Sequence, residues 1–391
     1  MYIGIICEFD PLHSGHARLL SHARAMGADA VICAMSGNFT QRGSFAALDK
    51  RARAEMAVRC GADLVVELPT VWAMSPAETF ARGGVQLLAL TGVDTLLFGS
   101  ECGELSALRR LADCLDSPAF ADRLTAADSG ATFAVRRQRA AALLGDADAA
   151  LLESPNNTLA VEYLRALRRT GASMTPATLL RTGAAHDGAP EGGTASASYL
   201  RQLLRQGQGE AACGFTPPEA ADILRRELSH GRVTDSALCE RAVLSRLRVM
   251  TEEDWRGYDP GGEGLYHRLY QAARSACTVD GLLSAAKTKR YPLARLRRMA
   301  LAAYLQLPPA PAQVPYIRVL AATAAGRAHL RRLRDAGAPV LTKPADVSSL
   351  GADAAALFAL EGRCTDLYVL ARPDLTQSAP GQDYRTTPVM V

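Results

Sequence analysis

The chain has 391 residues, a length that suggests two or three domains, each large enough to bury its own core. Hydrophobic residues make up 48% and charged residues 21%, which is ordinary for a globular protein and excludes disorder along most of the chain. The net charge of +4 is far below that of a histone-like protein. Any contact with nucleic acid therefore has to come from local clusters of cationic side chains.

The amino-terminal segment and the cysteines indicate a cytoplasmic protein. Residues 1–7 are apolar, but the run is short, lacks a basic leader and is followed by Glu8 and Asp10, which argues against a signal peptide. No apolar run approaches the length that a membrane-spanning helix needs. The nine cysteines are an odd number without a C-x-x-C pair, so we expect reduced thiols and no metal cage.

The first hundred residues alternate between apolar runs and amphipathic patterns. Runs of strand length occupy residues 2–7, 30–35, 64–68 and 95–98. Helical patterns lie between them, at residues 16–26, 49–59 and 76–90. The last of these follows Ser75-Pro76-Ala77-Glu78, which has the residue order of a capped helix start. Strands that are apolar on both faces and separated by helices predict a parallel, doubly wound sheet.

The pattern changes in the second half of the chain. Up to residue 206 we expect helices within residues 105–144, 158–169 and 196–206, a strand at 177–180 and a loop at 183–193. Beyond Gly207 the strand pattern fades and Leu, Ala and Arg recur at helical spacing. The sequence therefore predicts an α/β fold: a Rossmann-like parallel-sheet domain over residues 1–206, followed by a mainly helical domain over residues 207–391.

Two histidines and a glycine stand where the first strand gives way to the first helix. His13-Ser14-Gly15-His16 lies at the edge where open parallel sheets bind ligands. Unpaired N–H groups at a helix start attract phosphate, Gly15 permits a close approach, and the imidazoles add donors. The histidine pair alone is equally typical of an ordinary exposed helix start. Its position favours a phosphate site with His13 and His16 as catalytic residues.

A second cluster of polar side chains opens the predicted helix at residues 196–206. Ser196, Ser198 and Arg201 combine hydroxyls, a helix N-terminus and a guanidinium, which together suit a second phosphate clamp. Taken alone, a serine followed by an arginine one turn later is more typical of helix capping. The cluster therefore indicates a phosphate site only in combination with the histidine motif.

The combination resembles the HxGH nucleotidyltransferase superfamily, in which these two elements grip the triphosphate of ATP. Other strings resemble the tRNA(Met) cytidine acetate ligase family over nearly the whole chain. These strings are residues 35–43, 49–50, 63–69, 98–101, 154–163, 179–181 and 287–291. The family usually has Asn-Pro-Phe-His-Asn-Gly-His where this chain has Asp10-Pro11-Leu12-His13-Ser14-Gly15-His16. Asp-Pro at this place is frequent in the wider superfamily.

The resemblance implies an enzyme that forms acetyl-adenylate from ATP and acetate and transfers the acetyl group to N4 of the wobble cytidine of elongator tRNA(Met). It also implies a set of ATP contacts, in which Asn157 is the alternative to Asn156. The implied contacts are Ile6, Cys7, Glu8, Phe9, Asp10, Pro11, Leu12, His13, Ser14, Gly15, His16, Ala17, Arg18, Leu19, Gly99, Asn156, Arg181, Thr182, Ser196, Ser198 and Arg201.

Magnesium is expected to accompany the triphosphate rather than to occupy a site made by the protein. Glu8, Asp49 and Glu67 lie at strand ends or helix starts, where a carboxylate is able to bind Mg²⁺. Carboxylates at such positions more often cap a helix or pair with an arginine. We therefore predict no metal ligand among the side chains.

Six cations lie between residues 281 and 300, without any acidic residue: Lys287, Lys289, Arg290, Arg295, Arg297 and Arg298. A helix here would place Arg295 and Arg298 on one face and Arg297 to the side. Most cationic runs are solvated helix faces. The missing carboxylates, Tyr291 as a stacking ring and further arginines at positions 318, 327, 331, 332 and 334 favour tRNA. The predicted tRNA contacts are Lys287, Lys289, Arg290, Arg295 and Arg298.

Two other functions remain open at this point. The first is a small-molecule adenylyltransferase of the coenzyme A or NAD pathway type, against which the long basic second domain argues. The second is a non-catalytic RNA-binding protein on the same scaffold, against which the intact His13, Gly15, His16 and Arg201 argue. The sequence leaves the oligomeric state open.

Overall fold

The computed structural model describes residues 1–126, 130–145, 148–181, 194–259, 261 and 264–391. Its strands are β1 (Tyr2–Cys7), β2 (Ala30–Ser36), β3 (Phe39–Thr40), β4 (Ser44–Phe45), β5 (Leu64–Leu68), β6 (Thr95–Ser100), β7 (Thr175–Leu180), β8 (Ile317–Ala322), β9 (Val340–Leu341) and β10 (Val389–Met390). β3 and β4 form a separate two-stranded hairpin, and the other strands make one sheet of eight.

The α-helices follow the strands in the first half of the chain and dominate the second. They are α1 (Ser14–Ala25), α2 (Lys50–Arg59), α3 (Thr70–Ala73), α4 (Ala77–Leu90), α5 (Leu105–Leu115), α6 (Pro118–Ala126), α7 (Phe133–Ala142), α8 (Pro155–Thr170), α9 (Ala197–Arg205), α10 (Gly209–Cys213), α11 (Pro218–Ser229), α12 (Glu240–Val249), α13 (Glu252–Arg256), α14 (Leu265–Ser275), α15 (Val279–Ala286), α16 (Leu293–Leu305), α17 (Ala324–Asp335), α18 (Ala352–Tyr368) and α19 (Gln382–Arg385). In the described part of the chain, no helix is long and apolar enough to cross a membrane.

The centre of the large sheet is parallel. Its strands lie in the order β5-β2-β1-β6-β7, and every neighbouring pair in this set is parallel. The chain builds outward from β1 in one direction and then returns to build in the other, so the switch point lies between β1 and β6. This topology confirms the predicted Rossmann-like α/β fold, with a mainly helical region after it.

Both faces of β1 are covered, which explains why its sequence is apolar throughout. Ile3 and Ile5 belong to one core cluster, and Ile6 belongs to the cluster on the opposite face. On that second face a Cβ at Gly4 would lie 2.8 Å from Val93, just after α4, and one at Gly84 of α4 would lie 2.6 Å from Ile6. The two glycines therefore let α4 pack directly on β1.

Two expectations about local structure were wrong. β8 lies in the region where we expected no strand, and it pairs antiparallel with β5. Its run of alanines resembles a helix, and Arg318 interrupts the apolar pattern although the side chain is buried between Glu67 and Asp383. The second error is the cap of α4, since Ser75 donates to the carbonyl of Trp72 and does not cap the helix.

The mainly helical character predicted after residue 207 is confirmed, although in the carboxyl-terminal part α17, α18 and α19 are interspersed with β8, β9 and β10, which join the sheet. The division of the chain between residues 206 and 207 stays a prediction. The predicted loop at residues 183–193 lies outside the described residues.

Candidate active site

A cleft of about 1080 Å³ opens at the carboxyl ends of β1, β6 and β7, beside the switch point of the sheet. Fourteen of the residues predicted to contact ATP line it: Ile6, Cys7, Glu8, Phe9, Asp10, His13, His16, Leu19, Gly99, Asn156, Arg181, Ser196, Ser198 and Arg201. Residues separated by up to 195 positions in sequence thus meet at one edge of the sheet. That edge is where ligands bind in open α/β sheets.

The two histidines stack on each other at the start of α1. Their ring centroids are 3.8 Å apart, and the Nδ1 atom of His13 accepts the backbone N–H of Gly15 at 3.1 Å. Because Nδ1 is the acceptor, the ring proton of neutral His13 is assigned to Nε2. Gly15 has to be small here, since a Cβ would lie 2.9 Å from the His13 ring. His13 is thus both the N-cap of α1 and part of the histidine motif.

Both imidazoles are neutral at pH 7. Burial, followed by the nearby Arg181 and Arg201, lowers the pKa of His13 to about 4. Burial and the neighbouring His13 lower the pKa of His16 well below its usual range. A neutral imidazole still donates one N–H, so the pair presents donors to an anion without first burying two positive charges.

Arg201 connects the helix α9 to the histidine loop. Its guanidinium donates to the carbonyl of Asp10 at 2.7 Å and to the hydroxyl of Ser198 at 3.1 Å. The Ser196 hydroxyl accepts the N–H of Tyr199, so Ser196 caps the helix. Helix capping is the more common role of such a serine. The two predicted phosphate elements therefore face the same cleft and touch each other.

Residues at and after the ends of β6 and β7 form another part of the cleft wall. A Cβ at Gly99 would lie 3.1 Å from the side chain of Arg181, so the glycine leaves room for that arginine. Asn156 lines the cleft and donates to Glu101 at 2.6 Å. Asn157 is 2% exposed and accepts the backbone N–H groups of Glu101 and Cys102. The geometry therefore favours Asn156 over Asn157 as the residue that faces a ligand.

Six predicted residues of the histidine segment do not line the cleft: Pro11, Leu12, Ser14, Gly15, Ala17 and Arg18. Leu12 is fully buried in the core, and the Ser14 hydroxyl donates to the carbonyl of Phe215. Leu12 and Ser14 thus hold the loop in place, and the backbone N–H groups of Ser14 and Gly15 are donated within the protein, to the carbonyl of Phe215 and to Nδ1 of His13. Thr182 lies outside the described residues.

The opposite wall of the cleft comes from three helices after residue 207. α12, α15 and α16 contribute Glu240, Val243, Leu283, Arg297 and Leu301. Sequence reasoning missed this wall, because each helix supplies only two or three residues and no local motif marks them. The cleft is thus bounded on one side by the parallel sheet and on the other by the helical region.

In the structure, some side chains of the basic run are exposed, and others make contacts within the protein. Lys287, Lys289 and Arg297 are exposed, and Arg297 reaches the cleft. Arg295 pairs with the buried Asp259 at 3.1 Å. Arg298 donates to the carbonyl of Gln41 at 3.3 Å, and burial lowers its pKa to about 10. Arg297, which the predicted helix placed to the side, is therefore the arginine of α16 that lines the cleft.

The suggestion that Tyr291 stacks on a base was wrong. Its ring is 5% exposed and packs in the core, between the guanidinium groups of Arg290 and Arg295 at 5.6 and 5.5 Å from the ring centroid. A tyrosine in a cationic run looks like a stacking surface in sequence, but here it anchors α16.

The three carboxylates weighed as magnesium ligands have protein partners. Glu8 accepts the N–H of Gln41, Asp49 caps α2 and pairs with Arg372, and Glu67 pairs with Lys50 and Arg318. Within the described ranges, no group of three or more His, Cys, Asp and Glu side chains is arranged to hold a metal ion.

Comparisons with known proteins agree with this geometry. A sequence model of the family described as HIGH Nucleotidyl Transferase matches residues 1–383. The fold and the cleft therefore define a nucleotidyl transferase of the HIGH class.

Individual relatives narrow the class. The tRNA(Met) cytidine acetate ligase of Syntrophomonas wolfei is 33% identical, over 99% of both chains, and that of Syntrophotalea carbinolica is 39% identical, over 76% of this chain and 72% of its own. The crystal structure of Thermotoga maritima TmcAL bound with alpha-thio ATP superposes with a TM-score of 0.91 at 28% identity, covering 100% of this chain and 99% of that one. This chain belongs to the tRNA(Met) cytidine acetate ligase family.

Proposed function

We propose that this protein activates acetate with ATP and transfers the acetyl group to N4 of the wobble cytidine of elongator tRNA(Met). AMP and pyrophosphate are the other products. The observation that supports the proposal is the composition of the cleft. One side carries the neutral pair His13 and His16 with the cations Arg181 and Arg201. The helical wall on the other side carries Arg297. The reaction takes place in the cytoplasm, where ATP and tRNA are available.

In the first step, an acetate oxygen attacks the α-phosphorus of ATP in line with the leaving pyrophosphate. The imidazoles of His13 and His16 donate ring N–H groups to oxygens whose negative charge grows as pyrophosphate leaves, and the positive end of the α1 dipole favours the same charge. Arg181 and Arg201 balance the same charge. Asn156 and Gly99 border the part of the cleft that takes the nucleoside, and Mg²⁺ arrives bound to the triphosphate.

In the second step, the cytidine amine attacks the acetyl carbon and AMP leaves. The tRNA approaches over α15 and α16, where Lys287, Lys289, Arg290 and Arg297 supply positive charge for its backbone. Arg295 and Arg298, predicted from the sequence as tRNA contacts, act instead by holding α16 against Asp259 and Gln41.

A direct assay tests this function. Purified protein is incubated with ATP, labelled acetate and tRNA, and the tRNA is digested and examined for N4-acetylcytidine by mass spectrometry. Label in cytidine, dependent on ATP, is the expected result. Label absent from cytidine contradicts the proposed acceptor. Pyrophosphate exchange driven by a phosphorylated pantetheine or by nicotinate mononucleotide, but not by acetate, would instead identify a small-molecule adenylyltransferase.

A further inference from the structure

Glu8 lies where the two walls of the cleft meet. It follows β1 directly, beside the histidine loop, and its Oε1 atom accepts the backbone N–H of Gln41 at 2.7 Å. Gln41 belongs to the turn between β3 and β4, and its carbonyl accepts from Arg298 of α16. A single residue, Gln41, therefore links the carboxylate to the helix that borders the other side of the cleft.

A carboxylate at this place does not suit a triphosphate. The neighbouring donors, His13, His16 and Arg201, all attract negative charge, whereas Glu8 repels it. Among the described residues, Glu8 also belongs to no group of three or more His, Cys, Asp and Glu side chains that could hold a metal ion. Its position between the anion-binding wall and the helical wall fits a step that involves both substrates.

The transfer step releases a proton that some group has to accept. When the amine nitrogen bonds to the acetyl carbon, the nitrogen becomes cationic and loses one hydrogen as a proton. The imidazoles are poor acceptors at neutral pH, because the pKa of His13 lies near 4 and that of His16 is also depressed. Asp10 is turned toward the N–H of Ala47 and lies 3.6 Å from Arg201.

We propose that Glu8 is the general base of the acetyl-transfer step, a role that rests on the proposed function. The N–C bond forms as the C–O bond between the acetyl group and the phosphate of AMP breaks, and AMP leaves with that electron pair. The proton of the attacking amine passes to Oε2 of the Glu8 carboxylate and then to solvent through the cleft.

The electrostatic surroundings of Glu8 agree with this role. Burial, and to a lesser degree Asp10, raise its pKa, while the N–H of Gln41 and the cations Arg201 and Arg53 oppose the shift. On the α8 side it faces Tyr163, whose own pKa is raised. A carboxylate with a raised pKa is a stronger base than a free one, as proton transfer near neutral pH requires.

The turn at residues 41–43 positions this carboxylate. Gln41 also donates through its side chain to the carbonyl of Ser75 at 3.1 Å. Gly43 has φ +75°, and a Cβ there would lie 2.5 Å from the backbone nitrogen of Arg298, so the turn packs directly on α16. The Gln41 N–H is therefore fixed relative to the helical wall, and Glu8 with it.

Separate measurement of the two half-reactions tests the proposal. In Glu8→Gln, the amide oxygen still accepts from Gln41, but the base is lost. Acetyl transfer to tRNA from preformed acetyl-adenylate, measured in a single turnover, should fall about 100-fold or more. Acetate-dependent exchange of pyrophosphate into ATP should fall less than about tenfold.

Asp94→Asn is the matched control, because the Asp94 carboxylate also accepts a backbone N–H, that of Tyr2 at 2.6 Å, but lies at the amino end of β1, outside the residues that line the cleft. It should change either half-reaction by less than about threefold. If Glu8→Gln slows both half-reactions equally, or slows transfer no more than Asp94→Asn does, Glu8 is not the base.

The pH profile gives a second readout. Since Glu8 acts when ionised, the transfer rate of the wild-type protein should rise with pH through the raised pKa and then level off. This acidic limb should disappear in Glu8→Gln and persist, at a lower plateau, in Glu8→Asp. If Glu8→Gln folds poorly, the pH profile of Glu8→Asp serves as the test. Loss of the acidic limb in Glu8→Asp would overturn the proposal. A wild-type protein that makes no N4-acetylcytidine contradicts the proposed function instead.

Discussion

His13 combines three tasks in one side chain: it caps α1, stacks on His16 and faces the cleft. The cap fixes the ring through Nδ1, which leaves Nε2–H as its donor. Burial, Arg181 and Arg201 together keep the ring neutral. A triphosphate thus meets an oriented neutral donor. Keeping the ring neutral lowers the stability of the folded protein in acid, which is measurable in the absence of any ligand.

The depressed pKa of His13 predicts a loss of stability in acid. Between pH 6.5 and about 4 the unfolded chain binds a proton at this residue that the folded protein does not bind, so the free energy of unfolding falls as the pH is lowered. From pH 7 to pH 4 the contribution is about 3 kcal/mol. Urea unfolding should show a loss larger by about this amount in the wild-type protein than in His13→Gln. Equal losses would mean that the folded ring is protonated as readily as the unfolded one.

At the scale of elements, the sequence predicted what is local and continuous. β1 and β5 were predicted with their observed bounds, because β1 is an unbroken apolar run and β5 is interrupted only by Glu67, next to its end. The start of α1 was predicted from the histidine motif within two residues. β8 was missed because Arg318 is balanced by Glu67 and Asp383, which are distant in sequence. The helical wall of the cleft was missed for the same reason, since only the tertiary fold brings its residues together.

The arginines of α16 have different tasks, and substitution should separate them. Arg297→Ala should weaken tRNA binding and reduce the slope of log affinity against log salt by about 0.7 to 0.9, because one phosphate contact is lost. Arg295→Ala should instead lower the free energy of unfolding, since it leaves the buried carboxylate of Asp259 without that ion pair. Binding titrations at several salt concentrations, together with urea unfolding, measure both effects.

Arg331→Ala is the control for this comparison, because Arg331 is an exposed arginine on α17, away from the cleft. It should change neither the salt slope nor the free energy of unfolding. A change of slope in Arg295→Ala with unchanged stability would reverse the two assignments and return Arg295 to the tRNA surface predicted from the sequence.

The whole molecule is joined by a buried ionic cluster of residues from four parts of the chain. Lys50 of α2 donates to Glu67 of β5 at 2.7 Å and to Asp383 of α19 at 2.8 Å. Arg318 of β8 forms an ion pair with Glu67 at 2.9 Å and donates to Asp383 at 3.1 Å. Lys50 and Asp383 are at most 1% exposed. The cluster fastens the carboxyl-terminal segment to the sheet that forms the cleft.

The central position of Asp383 makes it the most informative residue of this cluster. Lys50, Arg318 and Arg51 hold its pKa well below the usual range, so its contribution to stability is present at neutral pH and is lost only as the pH falls into the acid range. Asp383→Ala leaves these buried cations with one carboxylate fewer and should lower the free energy of unfolding at pH 7 by about 3 to 5 kcal/mol.

Asp353→Ala provides the comparison for Asp383→Ala, because Asp353 is an exposed acidic residue in the first turn of α18. Its loss should cost less than about 1 kcal/mol, through the helix dipole alone. Because the cluster joins α2 and β5 to α19, Asp383→Ala should also lower the midpoint of thermal unfolding, and probes in the sheet and in the helices should report the same shift. Loss of the carboxyl-terminal segment alone, with the sheet still folded, would show that the cluster fastens that segment without supporting the rest of the molecule.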